Sequence, residues 1–317
     1  MTRNRFYRDG RLVEEDVPVD RAAELLAEPD TVAWLDLAAP SEATLNRVGD
    51  ALGLHELARE DALHRRQRPK VDRYDNHLFL TAYTVSPDAR HTHEISAFIT
   101  PRALITVHGG DVDMSEVTRR WDGTAHLADS GAAHLLHGLL DHTADTHAAA
   151  ADTLEDHLDT LEDRVFADDR DPTLTRDLLA TRRALTTLRR TALPMREVIA
   201  ALTHPDHGVT DHTTAPYFHD LADHALRTAE HTTALRETLT TIRETQLTVQ
   251  GNRLNLIMKK VTGWAAVIAV PTAITGFYGQ NVPYPGSGQP WGFWTSTAAT
   301  ALLSIGLYAL FKRKDWL

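Results

Sequence analysis

The chain is 317 residues long, enough for two or three domains with a sizeable core. It contains no cysteine, which excludes a disulfide scaffold and any thiolate metal site. Its formal net charge is −11, and so acidic a body argues against nucleic-acid binding, which needs a basic face.

The opening stretch, MTRNRFYRDG, has no apolar segment of the kind that marks a cleavable secretory signal. Val32–Ala38 (VAWLDLA) then alternates like a strand, and Pro40-Ser41-Glu42 opens an amphipathic helical stretch through Leu54. Three short β-rich runs follow, HLFLTAYTV, ISAFITP and ALITVH, parted by polar turns at Pro87-Asp88 and Pro101-Arg102. Together these predict a small α/β domain over 1–128. From Gly131 the pattern is helical over 131–167 and 172–204, with Asp171-Pro172 at the second start and His204–Gly208 at its end. A third helix opens at Ala215-Pro216 and enters the next apolar run without a turn signal. At 1.5 Å per residue, Pro216 to Tyr278 would make a rod on the order of 90 Å, natural only as one stave of a bundle. Pro271 is expected to kink it.

Two runs carry no charge at all, Val261–Tyr278 and Phe293–Phe311, each close to the roughly 20 residues that span a hydrocarbon core. Lys259 and Lys260 precede the first; Lys312, Arg313 and Lys314 follow the second; the connection Val282–Trp291 is uncharged. Residues 254–317 therefore carry +4, leaving −15 on residues 1–253. By the positive-inside rule both ends lie in the cytoplasm and the short loop outside, with Trp291, Trp294 and Tyr284 at the outer interface and Trp316 at the inner. The predicted organisation is a cytoplasmic α/β domain (1–128), a cytoplasmic helical stalk region (129–253) and a membrane domain (254–317), with spans about 261–280 and 292–311.

On the first span, Asn255, Met258, Thr262, Ala265, Ala269, Thr272 and Gly276 recur at three- and four-residue steps and share one small, polar face. Ile257, Val261, Trp264 and Ile268 form a bulkier neighbour. Small faces commonly serve as helix-packing seams. Here the polar members also need partners or water inside the bilayer. Two spans cannot enclose a pore, but several copies can, so the stripe is expected to serve as both seam and pore lining in a homo-oligomer. The span ends in Tyr278-Gly279-Gln280-Asn281. Glycine lets carbonyls face an axis and Asn281 offers a neutral amide oxygen, which suits a hydrated divalent cation; the same asparagine can equally be a helix cap.

At this point the sequence resembles the CorA family of divalent-cation channels, whose signature here is Gly-Met-Asn after an aromatic residue. Arg68-Pro69-Lys70-Val71, Leu193-Pro194-Met195-Arg196-Glu197-Val198, Pro216-Tyr217-Phe218 with Asp220, Asp223 and His224, and the Lys-Arg-Lys-Asp-Trp-Leu terminus are similar to other family segments in the same order. The resemblance implies an α+β fold with a long helical stalk and two C-terminal transmembrane helices, assembled as a homopentameric funnel in the inner membrane. It implies transport of Mg²⁺, with Co²⁺ or Ni²⁺ as further cargo, through a filter formed by Gly279, Gln280 and Asn281. It also implies regulation by cytoplasmic Mg²⁺, for which Asp220 and, across a subunit boundary, Asp88 are the candidate ligands. Partners are then other copies of the chain, divalent cations and lipid, with no organic cofactor and no nucleic acid. Gln280 in place of methionine, and a loop without carboxylates, keep the zinc-transporting branch open as a rival. A membrane-tethered coiled-coil receptor or scaffold is the alternative from another class. No Gly-x-Ser-x-Gly, His-Glu-x-x-His or P-loop pattern suggests an enzyme.

Two further patterns belong to the polar body. Glu230, Glu237 and Glu244 recur every seven residues and read as a solvated coiled-coil face or a cation-concentrating stripe. His134, His137, His142, His147, His224 and His231 are expected at polar surface positions, with metal or pH sensing as the alternative.

Overall fold

A computed structural model of the chain describes residues 2–110, 112–124, 130–167, 171–204, 207–280, 283 and 286–316. The expected boundary at Ala128 and the Pro205-Asp206 helix stop lie outside these residues. By contact the chain forms two compact units, Met1–Ile242 and Arg243–Leu317.

The first unit is built on strands β1 (Thr2–Arg8), β2 (Arg11–Glu15), β3 (Thr31–Ala38), β4 (Lys70–Arg73), β5 (Leu78–Val85), β6 (Thr92–Thr100) and β7 (Ala103–His108). They form one seven-stranded sheet in the order β2-β1-β3-β7-β6-β5-β4, antiparallel throughout except for the parallel pair β3–β7. Side-chain alternation divides the core in two. In β5, Leu78, Leu80 and Ala82 enter one cluster and Phe79 the other; in β6, Ile95, Ala97 and Ile99 oppose Phe98 in the same way. The Phe79 face is covered by α1 (Val19–Ala27), α2 (Glu42–Leu52) and α3 (Glu56–Leu63). The other face is covered by α4 (Ser115–Gly123), α5 (Ala132–Phe166), α6 (Leu174–Leu202) and the start of α7 (Ala215–Tyr278), which contributes Phe218, Leu221 and Ala225.

Local chemistry sets several of these ends. The Ser41 hydroxyl accepts the Thr44 N–H as the α2 N-cap, and Gly53 closes the helix at φ +67°. Asp9 and Gly10, both at positive φ, make the tight turn between β1 and β2. The second unit holds the rest of α7 and α8 (Pro290–Arg313). α7 is one helix of 64 residues and runs on through Pro271, whose missing N–H leaves the Val267 carbonyl without its intrahelical donor. The strands and helix stretches expected from the sequence are present among the described residues, and α7 and α8 carry the two uncharged apolar runs; β1, β2, α1, α3, β4 and α4 are additional.

Candidate functional site

The two helices long and apolar enough to cross a membrane are α7 and α8, and within the single chain their apolar windows are almost wholly unburied. Val261 and Ile268 on α7 are each 63% exposed, and Leu302 on α8 is 74% exposed. A contiguous apolar surface of this kind cannot stay in water and needs lipid or further protein against it.

The faces of α7 have distinct surroundings. Gly263 is buried and Ala266, Val267, Val270 and Ile274 are half-buried, and the Trp264 ring meets Tyr308 of α8 at 6.2 Å between centroids. On α8 most of the shielded positions are small, with Gly292 buried and Ser296, Ala299, Thr300 and Ser304 half-buried, and the larger Leu307 and Phe311 are half-buried toward the helix end. Small residues on both sides let the two helices approach closely. All seven stripe residues, Asn255, Met258, Thr262, Ala265, Ala269, Thr272 and Gly276, are exposed. At 3.6 residues per turn the stripe is centred roughly 130° around α7 from the shielded face. It is therefore left free by α8 along most of its length. At its first end, Asn255, Met258 and Thr262 border a groove that they share with Lys259 and Trp316.

Thr272 of the stripe and Thr275 beside it have local partners for their hydroxyls. Thr272 Oγ1 donates to the Ile268 carbonyl (3.1 Å), and Thr275 Oγ1 donates to the Pro271 carbonyl (2.8 Å). Each hydroxyl proton is thereby satisfied within the helix, and the oxygen keeps acceptor capacity for water. After Tyr278 the helix tightens: the Gly279 N–H donates to the Thr275 carbonyl at 2.8 Å and the Gln280 N–H to the Phe277 carbonyl at 3.3 Å. A Cβ on residue 279 would sit 3.0 Å from the Thr275 oxygen, so glycine fits this stop with least crowding. Gln280 is exposed. Asn281, Val282 and Tyr284 lie outside the described residues.

The candidate regulatory carboxylates belong to the first unit. Asp88 sits in the β5–β6 turn, where Oδ1 accepts from the Ser86 hydroxyl (2.6 Å) and the Arg90 N–H (3.1 Å). The Ser86 hydrogen bond, and then that from Arg90, hold its carboxyl below the usual range. Asp88 also lines a cleft of about 230 Å³ with His157, Arg164 and Asp177. Asp220 is exposed on α7. Among the described residues neither joins a group of three or more candidate metal ligands within the one chain.

Two such groups do occur, and both tie α5 to α7: Asp141, Asp145 and His224, and Asp152, Glu155 and His231. In the first, Arg120 already bonds both carboxylates, with Nη2 2.6 Å from Asp145 Oδ2. In the second, His231 Nε2 is 3.3 Å from Glu155 Oε2. The seven-residue spacing on both helices repeats one cross-helix contact, a relation that spacing on a single helix could not disclose. The histidines divide more sharply than expected. His134 and His147 are 3% exposed rather than on the surface, because the side of α5 that carries them lies in the sheet-facing core. His137 is packed against Tyr217 and Phe218, and burial lowers its pKa against the opposing charges of Asp141 and Asp220. Glu230, Glu237 and Glu244 are exposed, as a solvated face would be.

Comparison with known proteins bears on the same features. A family model described as CorA-like Mg²⁺ transporter protein matches residues 29–313. The cobalt/magnesium transport protein CorA of Thermotoga maritima is 27% identical over 299 residues, covering 92% of this chain and 85% of that one. The protein of the same name from Methanocaldococcus jannaschii is 24% identical over 316 residues, 98% of each chain. The complete structure of the CorA magnesium transporter from M. jannaschii superposes with a TM-score of 0.80 at 22% identity, covering 100% of this chain and 99% of that one.

Proposed function

The chain belongs to the CorA-like Mg²⁺ transporter protein family, and from that premise we propose that it is a homopentameric channel for Mg²⁺ in the cell's inner membrane. Both termini are cytoplasmic in this reading, α7 lines the path and α8 faces lipid. One observation carries it: α7 turns a small, polar stripe away from α8 and ends at Tyr278, where the sequence continues Gly279-Gln280-Asn281. A helix hairpin that served only as an anchor has no use for such a face.

Mg²⁺ holds its first water shell tightly and prefers octahedral oxygen coordination. A ring of Asn281 amide oxygens, one from each copy, can accept hydrogen bonds from those waters without stripping them. Gln280 adds a second amide to the same segment. Below it, Thr272, Thr262 and Asn255 offer neutral acceptors, while Ala265, Ala269 and Gly276 leave width for a hydrated ion. Regulation follows from the soluble carboxylates: Asp220 of one copy and Asp88 of its neighbour repel when bare and are bridged when Mg²⁺ is plentiful. The functional parts are then the α/β domain (1–128), the stalk region (129–253) and the membrane domain (254–317).

Metal uptake into proteoliposomes tests the proposal directly. Mg²⁺ entry is expected, with Co²⁺ and Ni²⁺ carried less specifically. Uptake of Zn²⁺ alone would replace Mg²⁺ as the cargo, and no uptake of any divalent ion would leave the scaffold reading.

A further inference from the structure

Although the chain is acidic overall, one cleft of the first unit is lined by five arginines. Arg65, Arg66 and Arg68 come from the segment between α3 and β4, Arg90 from the β5–β6 turn and Arg190 from α6. Arg90 faces Asp88 (Nε to Oδ2 3.6 Å), and Arg65 donates to the His108 carbonyl at 3.1 Å. The side chains of Arg66, Arg68 and Arg190 are exposed and have no hydrogen bond or ion pair among the described residues. The chain carries 44 carboxylates from which partners could have been drawn, yet among the described residues only Glu94 lines this cleft.

One oxygen of Glu94 is committed to the wall, while Oε1 is buried with no hydrogen-bond partner among the described residues. Its Oε2 accepts from the Arg66 N–H and lies 2.7 Å from the Tyr83 hydroxyl, which also contacts the Gln67 carbonyl. That network fixes the backbone from which Arg65, Arg66 and Arg68 project. The guanidiniums are therefore presented by a tied segment on one side and a helix on the other, around a space of about 820 Å³.

Like charges gathered in a concave site repel each other and focus a positive potential outward, and an anion placed between them reverses both effects. Guanidinium forks match the paired oxygens of carboxylate and phosphate alike, and five arginines in one cleft favour the more highly charged phosphate anions. The volume lies in the range of small-ligand pockets, and a concave space of that size encloses a small molecule rather than a flat polymer surface. We propose that this cleft binds a soluble polyphosphate, either the triphosphate of a nucleotide or free triphosphate. The site is separate from the ion path and does not depend on the transport reading.

Equilibrium dialysis of purified full-length protein in detergent, with radiolabelled ATP, tests this without reference to transport. Saturable binding of one ATP per chain is expected, displaced by unlabelled ATP and not by adenosine. Displacement by ATP but not by tripolyphosphate would assign the site to nucleotides; equal displacement would assign it to the phosphates alone, and either outcome upholds the proposal. Arg68→Glu combined with Arg190→Glu should weaken binding by about tenfold or more. Arg68→Gln with Arg190→Gln should weaken it less, and Arg119→Glu, outside the cleft, should change little. A thermal melt of each variant separates lost binding from lost folding. Absence of saturation at millimolar ATP, or unchanged affinity in both double variants, overturns the proposal. So does a double variant that changes native mass while ATP fails to bind the parent, since the cleft would then be a contact between copies.

Discussion

Asn281 carries the proposed selectivity on one functional group, so its removal is a clean test. Asn281→Ala keeps a small residue after the helix stop and deletes only the amide. Mg²⁺ uptake should fall at least about tenfold, because a ring of acceptors is lost at once, while native mass stays that of the parent. Uptake near the parent rate would reduce Gly-Gln-Asn to a helix cap. Gln280→Met asks whether the neighbouring amide reaches the ion: a changed ratio of Mg²⁺ to Co²⁺ uptake says that it does, and an unchanged ratio that it packs aside. Away from the path, two buried histidines give the soluble unit opposite pH dependences. Burial lowers the His147 pKa to about 4, against the hydrogen bond its imidazole makes to the Tyr83 backbone. A histidine depressed from 6.5 contributes stability above that value, and loses it as pH falls toward 4. The loss amounts to about 3 kcal/mol at most. His108 behaves the other way. Burial pulls its pKa down, but Asp36 Oδ1 at 2.9 Å from Nε2, with the Gly109 carbonyl on Nδ1, raises it overall. Its contribution is complete below 6.5 and fades as pH rises through the folded value. Thermal melts of His147→Leu should lose the parent's decline between pH 6.5 and 4.5. An acid slope identical to the parent's would mean that another group dominates there.

At the scale of the element, α7 offers a paired comparison in adjacent residues. Ala269 lies on the stripe and Ile268 on the bulkier face, and both are exposed in the single chain. If the stripe lines the path, Ala269→Leu narrows it and should cut uptake about tenfold. Ile268→Leu, which alters only the shape of a lipid or helix contact, should leave uptake near the parent rate. Equal effects at the two positions would reduce the stripe to a packing seam. The stripe could be read from the sequence because helical periodicity and polarity coincide over seven residues. The same clarity held for Val32–Ala38, for the three β-rich runs and for the Ser41 cap, where local pattern and tertiary burial agree. It failed for the β1–β2 hairpin, although Asp9-Gly10 is a strong turn signal; the flanking strands are charged and too weakly apolar to stand out. It failed as well for His134 and His147, since a polar side chain on a long amphipathic helix gives no local sign that its face is the buried one. The arginine cleft was invisible for a different reason: its lining comes from five separate segments that only the tertiary fold brings together.

For the whole molecule, the question is what a divalent ion does to an assembly of copies. The body is acidic, at −15 over residues 1–253, so bringing several together costs electrostatic free energy that bound cations relieve. Native mass in detergent should therefore report a closed oligomer, five chains by family likeness, and a monomer or dimer would sink the channel proposal. Asp220 is the proposed point at which this repulsion is switched. It is exposed on α7, the same helix that carries the stripe, and among the described residues it joins no group of three or more candidate metal ligands within the one chain. Asp88 is partly screened by Ser86 and Arg90, so the pair across a subunit boundary would be unequal, with Asp220 supplying the freer charge. An ion can shift such an equilibrium only by binding the closed arrangement more tightly, so closure must track site occupancy. Asp220→Lys replaces the ion with a fixed positive charge and should favour the closed state without added Mg²⁺. Asp220→Ala removes the repulsion and the ligand together, and should abolish the Mg²⁺ dependence while leaving the assembly intact. Limited proteolysis reads both: Mg²⁺ should protect the parent, Asp220→Lys should be protected with or without the ion, and Asp220→Ala should respond to neither. A parent cleavage pattern indifferent to Mg²⁺ would make the acidic body a solubility feature and place any gate elsewhere on the chain.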